Sequence, residues 1–270
     1  MNTAVIALPF LDPVAFAVGP IVVRWYALAY VVALLFAVWY MKRLVRLPRL
    51  WGANAPTLSV QQVDDIFLWF LIGVIGGGRL GYVLFYKPLH YLANPLEILQ
   101  TWDGGMSFHG GFLGVVMACL LYGRKHGIGL DRLLDLGAAA TPVGLALGRV
   151  ANFINAELWG RASDAPWAVV FPGQDFARHP SQIYEALLEG LVLFVLIRIA
   201  THRFGVLKHP GRAAGIYALW YGCSRILVEF FREPDSHLGY FNGFITMGML
   251  LSLPLVAVGV WLLFRSRRTG

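Results

Sequence analysis

Apolar residues in this chain come in long runs, at 20–41, 65–86, 108–122, 133–153, 183–200, 213–231 and 244–264, separated by short polar connections. A bilayer core is spanned by about 20 residues of α-helix, so the pattern predicts seven transmembrane helices, the third needing its flanks to reach that length. No basic segment precedes the first run, and no small-residue cleavage site follows it before Met41-Lys42-Arg43, so it reads as a retained span. No internal repeat is visible, which argues mildly against the inverted-repeat transporters. The expected architecture is a single all-α polytopic membrane domain over residues 1–270.

Charge sets the expected orientation. Lys42, Arg43, Arg46 and Arg49, then Arg124, Lys125 and Arg132, then Arg198, Arg203, Lys208 and Arg212, and finally Arg265, Arg267 and Arg268 fall in alternate connections. The opposite connections hold only Arg24, Lys87, Arg161, Arg178 and Arg232. The positive-inside rule therefore puts the N-terminus outside and the C-terminus in the cytoplasm. The two longest connections, about 87–107 and 154–182, are then external. The second contains Trp159-Gly160, Pro166-Trp167 and Phe171-Pro172-Gly173, turn signals that predict a small extracytoplasmic cap.

Composition agrees: 58% of residues are hydrophobic and 14% charged, outside the range of soluble domains. The formal net charge of +7 would raise nucleic acid as a partner in a cytosolic protein, but here the basic residues mark the cytoplasmic loops. Cys119 and Cys223 both lie in apolar runs, which leaves no disulfide framework, no C-x-x-C and no zinc-ligand spacing.

The informative residues are those that lipid should exclude. An arginine at a helix centre costs about 2.5–3.5 kcal/mol on insertion scales, against roughly 0.3–0.6 gained per Leu-like residue. In the sixth run Tyr221, Arg225, Glu229 and Arg232 are spaced four, four and three apart, so they share one helical face. This stripe reads either as a structural Arg225–Glu229 pair or as part of a functional site. The fourth run ends with Arg149, Asn152, Asn155 and Glu157 within nine positions. Interhelical hydrogen bonding would account for one asparagine; the whole group favours a prepared polar site. Ser181, Glu185 and Glu189 open the fifth run at four-residue intervals, with Glu185 a candidate counter-ion of Arg149. His109 precedes Gly110-Gly111, glycines that permit close approach of a backbone or a ligand. Arg24-Trp25-Tyr26 reads as interfacial anchor or site.

With the N-terminus outside, Tyr26, Arg79, His109, 149–157, 179–185 and 225–233 all fall in the outer halves of their spans or just beyond. Structural glue has no reason to be one-sided; a cavity open to the outer leaflet does. Guanidiniums at headgroup depth suit a phosphate, which they bind through paired donors. No protein nucleophile stands out. Ser107 lies two residues before His109, but neither G-x-S-x-G nor H-E-x-x-H occurs.

Four motifs in order carry a resemblance: His109-Gly110-Gly111, the segment 148–161 (GRVANFINAELWGR), His179-Pro180-Ser181-Gln182-Ile183-Tyr184-Glu185, and 225–235 (RILVEFFREPD). Together they strongly resemble the bacterial prolipoprotein diacylglyceryl transferases, over nearly the whole chain. Ala151 and Ala156 stand where that family commonly has glycine. The resemblance implies transfer of the diacylglyceryl group of phosphatidylglycerol to the lipobox cysteine of a prolipoprotein at the bacterial inner membrane, with release of glycerol 1-phosphate. It also implies that Arg149 and Arg225 handle the phosphate, that Asn152, Glu157, Gly160, Glu229, Tyr26 and Tyr221 complete the site with Asn155 and Glu185 beside them, and that His109 accepts the proton. No metal or organic cofactor is implied. A transporter or flippase of an anionic phospholipid is the competing class, and an intramembrane peptidase a third.

Overall fold

The computed structural model describes residues 6–9, 11–52, 58–233 and 245–268. Pro234 and Asp235 of the fourth motif, and Phe244 at the head of the seventh apolar run, lie outside them. The described chain is mostly helical: α1 (Trp25–Val45), α2 (Val60–Tyr86), α3 (Pro88–Ala93), α4 (Phe108–His126), α5 (Leu130–Ala140), α6 (Pro142–Ile154), α7 (Ser181–Glu185), α8 (Leu193–Phe204), α9 (Arg212–Glu229) and α10 (Met247–Arg268). A π-helical stretch, Ala186–Val192, joins α7 to α8. Four short strands were not foreseen. β1 (Ile6–Ala7) pairs in parallel with β4 (Val169–Val170), and β2 (Val14–Val18) forms an antiparallel hairpin with β3 (Ile21–Arg24). Gly19, at a positive φ of 59°, permits the hairpin's tight turn.

Among the described residues three helices are long and apolar enough to cross a membrane, α1, α2 and Met247–Ser266 of α10, and a fourth crossing results if α5 and α6 act as one span. These helices make the chain an all-α membrane protein in its main architecture. The fourth apolar run is not the continuous helix its pattern predicts: α5 and α6 meet at a bend of 42°. Pro142 is the cause, since it lacks an N–H and its ring displaces the carbonyl of the preceding turn; it instead occupies the first position of α6. The runs at 108–122, 183–200 and 213–231 coincide with α4, with α7 through α8, and with α9.

The chain forms two compact units, Met1–Met41 with Asp135–Gly270, and Lys42–Leu134. In the second, α2 starts with a capping box, Ser59 Oγ accepting from Gln62 N while Gln62 Oε1 accepts from Ser59 N. It packs on α4 through Gly73, Gly77 and Gly81 facing Gly110 and Gly114, where an added Cβ would collide with the opposing backbone. Small residues at such spacing let helices approach closely without relying on hydrophobic drive. Of the two partners the sequence left open for Gly110, the one present is therefore helix backbone. Ser107 caps α4, its hydroxyl accepting from Gly110 N at 3.2 Å.

Arg79 is taken up by this unit's own architecture. It is buried and donates to the carbonyls of Ile98 at 2.8 Å, Glu97 at 2.6 Å and Gly104 at 2.6 Å, with the Tyr91 ring against its guanidinium. Its place is that of an organiser of the 87–107 connection. The sequence could not distinguish this from a ligand-binding arginine, because the acceptors are main-chain carbonyls of a segment with no pattern of its own.

The other unit supplies most of the candidate polar residues. Its α9 and α10 pack through Gly215, Gly222 and Gly259, and the π stretch meets α6 where Gly190 lies against Ala146. Trp220 Nε1 on α9 donates to the Leu188 carbonyl at 2.9 Å, satisfying a group within the widened π turn.

Candidate functional site

Three segments far apart in sequence converge on one ion cluster. Arg149, from the last turns of α6, places Nε 2.5 Å from Glu185 Oε2 and Nη2 3.9 Å from Glu189 Oε2. Arg225, on α9, reaches Glu185 Oε1 at 3.4 Å and Glu229 Oε1 at 2.5 Å. Arg232, just past α9, reaches Glu185 Oε1 at 2.9 Å and Glu229 Oε1 at 3.5 Å. Glu185 is thus the shared counter-ion of all three guanidiniums, a larger part than the single pairing with Arg149 read from the sequence. The Arg225–Glu229 pair is formed as well. Arg232, which belongs to the α9 stripe, and Glu189, which continues the α7 spacing, are the cluster members that the sequence did not assign to the site.

The cluster is polarised by exposure. The arginine side chains retain 20%, 16% and 11% of their accessible surface at positions 149, 225 and 232, whereas Glu185 retains 1% and Glu189 none. The carboxylates are the more buried members of the cluster and the guanidiniums the less buried. Donors in planar forks match the oxygens of a phosphate.

The rim is built by the turn that follows α6. Asn152 and Asn155 both donate to Glu157 Oε1, at 2.7 and 3.4 Å. Each amide thus bonds within the turn itself. Gln182 Nε2 donates to the Glu157 carbonyl at 2.6 Å and Ser181 Oγ to the Leu158 carbonyl at 3.2 Å, so the first turn of α7 fixes the shape of this turn. Gly160 follows. A Cβ there would lie 2.5 Å from the Phe231 carbonyl oxygen and 2.7 Å from His179, so glycine is the residue that lets these backbones cross. Arg161 then donates to the carbonyls of Arg232 and Glu229, tying the end of α9 to the same crossing. Gly160 acts on the site through backbone placement.

Ala156 and Leu158 adopt left-handed backbone, with φ of 52° and 57°. For an L-residue with a Cβ this conformation costs about 1–2 kcal/mol, while glycine loses roughly 0.5–1 kcal/mol in chain entropy. Ala156→Gly should therefore raise the melting temperature slightly, by the equivalent of up to about 1 kcal/mol, with turnover retained; a lower melting temperature would show that the turn is not strained there.

Aromatic residues flank the arginines. Tyr26, half-buried in the first turn of α1, receives a long hydrogen bond of 3.4 Å from the Tyr30 hydroxyl, and Tyr30 interacts electrostatically with Arg149. Tyr221 stacks in parallel on Tyr217 with ring centroids 5.9 Å apart and lies in the fields of Arg149 and Arg225. His179, outside the membrane-spanning segments, has Nδ1 3.0 Å from the Tyr184 hydroxyl, which also accepts from Trp167 Nε1 at 2.6 Å. Burial, then the nearby Arg161, lower the His179 imidazole below its ordinary range, with Asp164 opposing them.

The structure brings together Tyr26, Arg149, Asn152, Asn155, Glu157, Gly160, Glu185, Tyr221, Arg225 and Glu229 in one unit. His109 belongs to the other, exposed in the first turn of α4.

A helical protein with membrane-length apolar helices, whose arginines 149, 225 and 232 share buried glutamates, belongs to the class of integral membrane proteins. Sequence comparison makes this specific. Residues 13–265 match the family described as prolipoprotein diacylglyceryl transferase. Relatives named phosphatidylglycerol--prolipoprotein diacylglyceryl transferase from Brucella anthropi, Brucella ovis and Brucella abortus are each 53% identical over 272 residues, covering 100% of this chain and 97% of the relative. The chain belongs to the prolipoprotein diacylglyceryl transferase family, and diacylglyceryl transfer in lipoprotein maturation is its function.

Proposed function

We propose that the chain takes the diacylglyceryl group from phosphatidylglycerol and attaches it to the lipobox cysteine of a prolipoprotein, at the outer face of the bacterial inner membrane. The names of the relatives support donor and acceptor. The substrate sulfur attacks the glyceryl carbon, a C–S bond forms, the C–O bond to phosphate breaks, and glycerol 1-phosphate leaves with the bonding pair. The thiol, with an ordinary pKa near 8.5, gives up its proton to a base, a role assigned to His109 from the family motif. Because the substrate brings the nucleophile, no enzyme serine or cysteine is required, and Ser107 is already engaged as a helix cap.

The observation that carries this reading is the exposure pattern of the cluster, with the arginines less buried than the carboxylates. Negative charge accumulates on the phosphate as the C–O bond breaks, and Arg149 and Arg225 supply forked donors where it appears. Asn152, Asn155, Glu157, Tyr26 and Tyr221 shape the rim. Seven spans with the N-terminus outside, and a cap over 154–182, would place this rim at the outer leaflet, following the distribution of basic residues.

Purified protein in vesicles containing labelled phosphatidylglycerol should label a lipobox peptide and release glycerol 1-phosphate only when the peptide carries its cysteine. Lipid that crosses the bilayer chemically unchanged, without labelled peptide, would instead establish a transporter.

A further inference from the structure

The two oxygens of Glu229 have different tasks. Oε1 faces the arginines, 2.5 Å from Arg225 Nη2 and 3.5 Å from Arg232 Nε. Oε2 accepts a hydrogen bond of 2.5 Å from Thr246 Oγ1. Thr246 immediately precedes α10, and its Oγ1 also accepts from Met249 N at 3.2 Å, as the side chain of an N-cap does. A hydroxyl has one proton to give. With the amide of Met249 occupying a lone pair, the threonine rotor is set to give that proton to Glu229. Both Thr246 and Glu229 are buried, at 3% exposure each. Gly248 completes the seat, since a Cβ there would lie 2.6 Å from Glu229 Cδ and Oε1.

We infer that Thr246 is a positioning residue for the transfer reaction: it fixes the rotation of the Glu229 carboxylate, which holds the Arg225 guanidinium in the plane that receives the phosphate. The terminal torsion of a glutamate has a broad energy profile, so without an anchor on Oε2 the carboxylate can turn and release Arg225 from its fork. The inference rests on the reading of Arg225 as a phosphate-binding residue.

The experiment is a double-mutant cycle in reconstituted full-length protein, with phosphatidylglycerol vesicles and a lipobox peptide, followed by steady-state kcat and KM and by melting temperature. Thr246→Ser keeps the hydroxyl and should retain turnover. Thr246→Val should lower kcat about tenfold while KM for phosphatidylglycerol changes less than twofold; Thr246→Ala, with less bulk, is measured alongside in case Val does not fold. In the Glu229→Gln background the same substitutions should cost less than twofold, because the partner through which Thr246 acts is already altered. Equal losses in both backgrounds would make Thr246 a helix cap alone and overturn the inference, as would unchanged kcat in Thr246→Val or Thr246→Ala. Arg225→Lys in the same assay reports on the phosphate-binding reading independently. Near-normal turnover there removes that reading, while the coupling of Thr246 to Glu229 is still read from the melting temperatures of the four variants.

Discussion

Arg225→Lys is expected to give a folded protein that turns over on the order of a hundredfold more slowly or worse, corresponding to about 2.7 kcal/mol or more of lost transition-state stabilisation. An ammonium retains the charge of Arg225 and can retain contact with Glu229, at present 2.5 Å from Nη2. It cannot present two parallel donors to the departing phosphate while also bonding Glu185 and Glu229 from different nitrogens. Arg149→Lys should behave similarly, because Nε of Arg149 is committed to Glu185 and the ligand would be met by the remaining donors of the fork. Were Arg225 only the counter-ion of Glu229, lysine would preserve fold and turnover together. Parallel measurement of turnover and of thermal stability in detergent separates the two: a stable Arg225→Lys protein with near-normal turnover removes the phosphate clamp.

The second large effect belongs to Glu185. Its carboxylate, 1% exposed, is shared by Arg149, Arg225 and Arg232. Glu185→Gln keeps the shape of the side chain and deletes the charge, leaving three guanidiniums with less compensation in a poorly solvated place. Removing one partner from a buried ionic group typically costs about 3–5 kcal/mol. A fall in melting temperature on the order of 10 °C follows, with turnover falling too as the arginines separate. Glu157→Gln serves as the contrasting variant: its side chain is exposed and accepts neutral amide hydrogen bonds, so it should change stability little. A Glu185→Gln protein as stable as its parent would show that the buried carboxylate is not what holds the arginines together.

The particular pairings also show how far a linear reading reaches. The stripe of Tyr221, Arg225, Glu229 and Arg232 was legible because helical spacing fixes which residues share a face, and the Arg225–Glu229 pair is contained in that local geometry. The choice between a structural pair and a site was not, since it depends on Glu185, which approaches Arg225 from another helix. Arg79 and Arg149 are both arginines in apolar runs. One is consumed by main-chain carbonyls and the other faces the carboxylates of α7 and the π stretch, a difference made wholly by what packs beside each. Gly160 was recognised by motif alone; its physical reason, the crossing of the Phe231 and His179 backbones, exists only once the chain is folded. Thr246 carried no signal in the sequence, because its partner Glu229 is seventeen residues away, at the end of another helix.

The sequence by itself determined that this is a helical membrane protein, where its apolar segments lie, and which ionisable residues must be paired, because hydrophobic periodicity and the cost of bare charge in lipid act on each segment locally. The tertiary structure decided which carboxylate serves which arginine, that α5 and α6 meet at a 42° bend, and that the guanidiniums are less buried than the carboxylates. The pairings depend on close backbone approaches at Gly160 and Gly190, where two backbones come as near as the absence of a side chain allows, and no local rule of spacing encodes which backbone arrives.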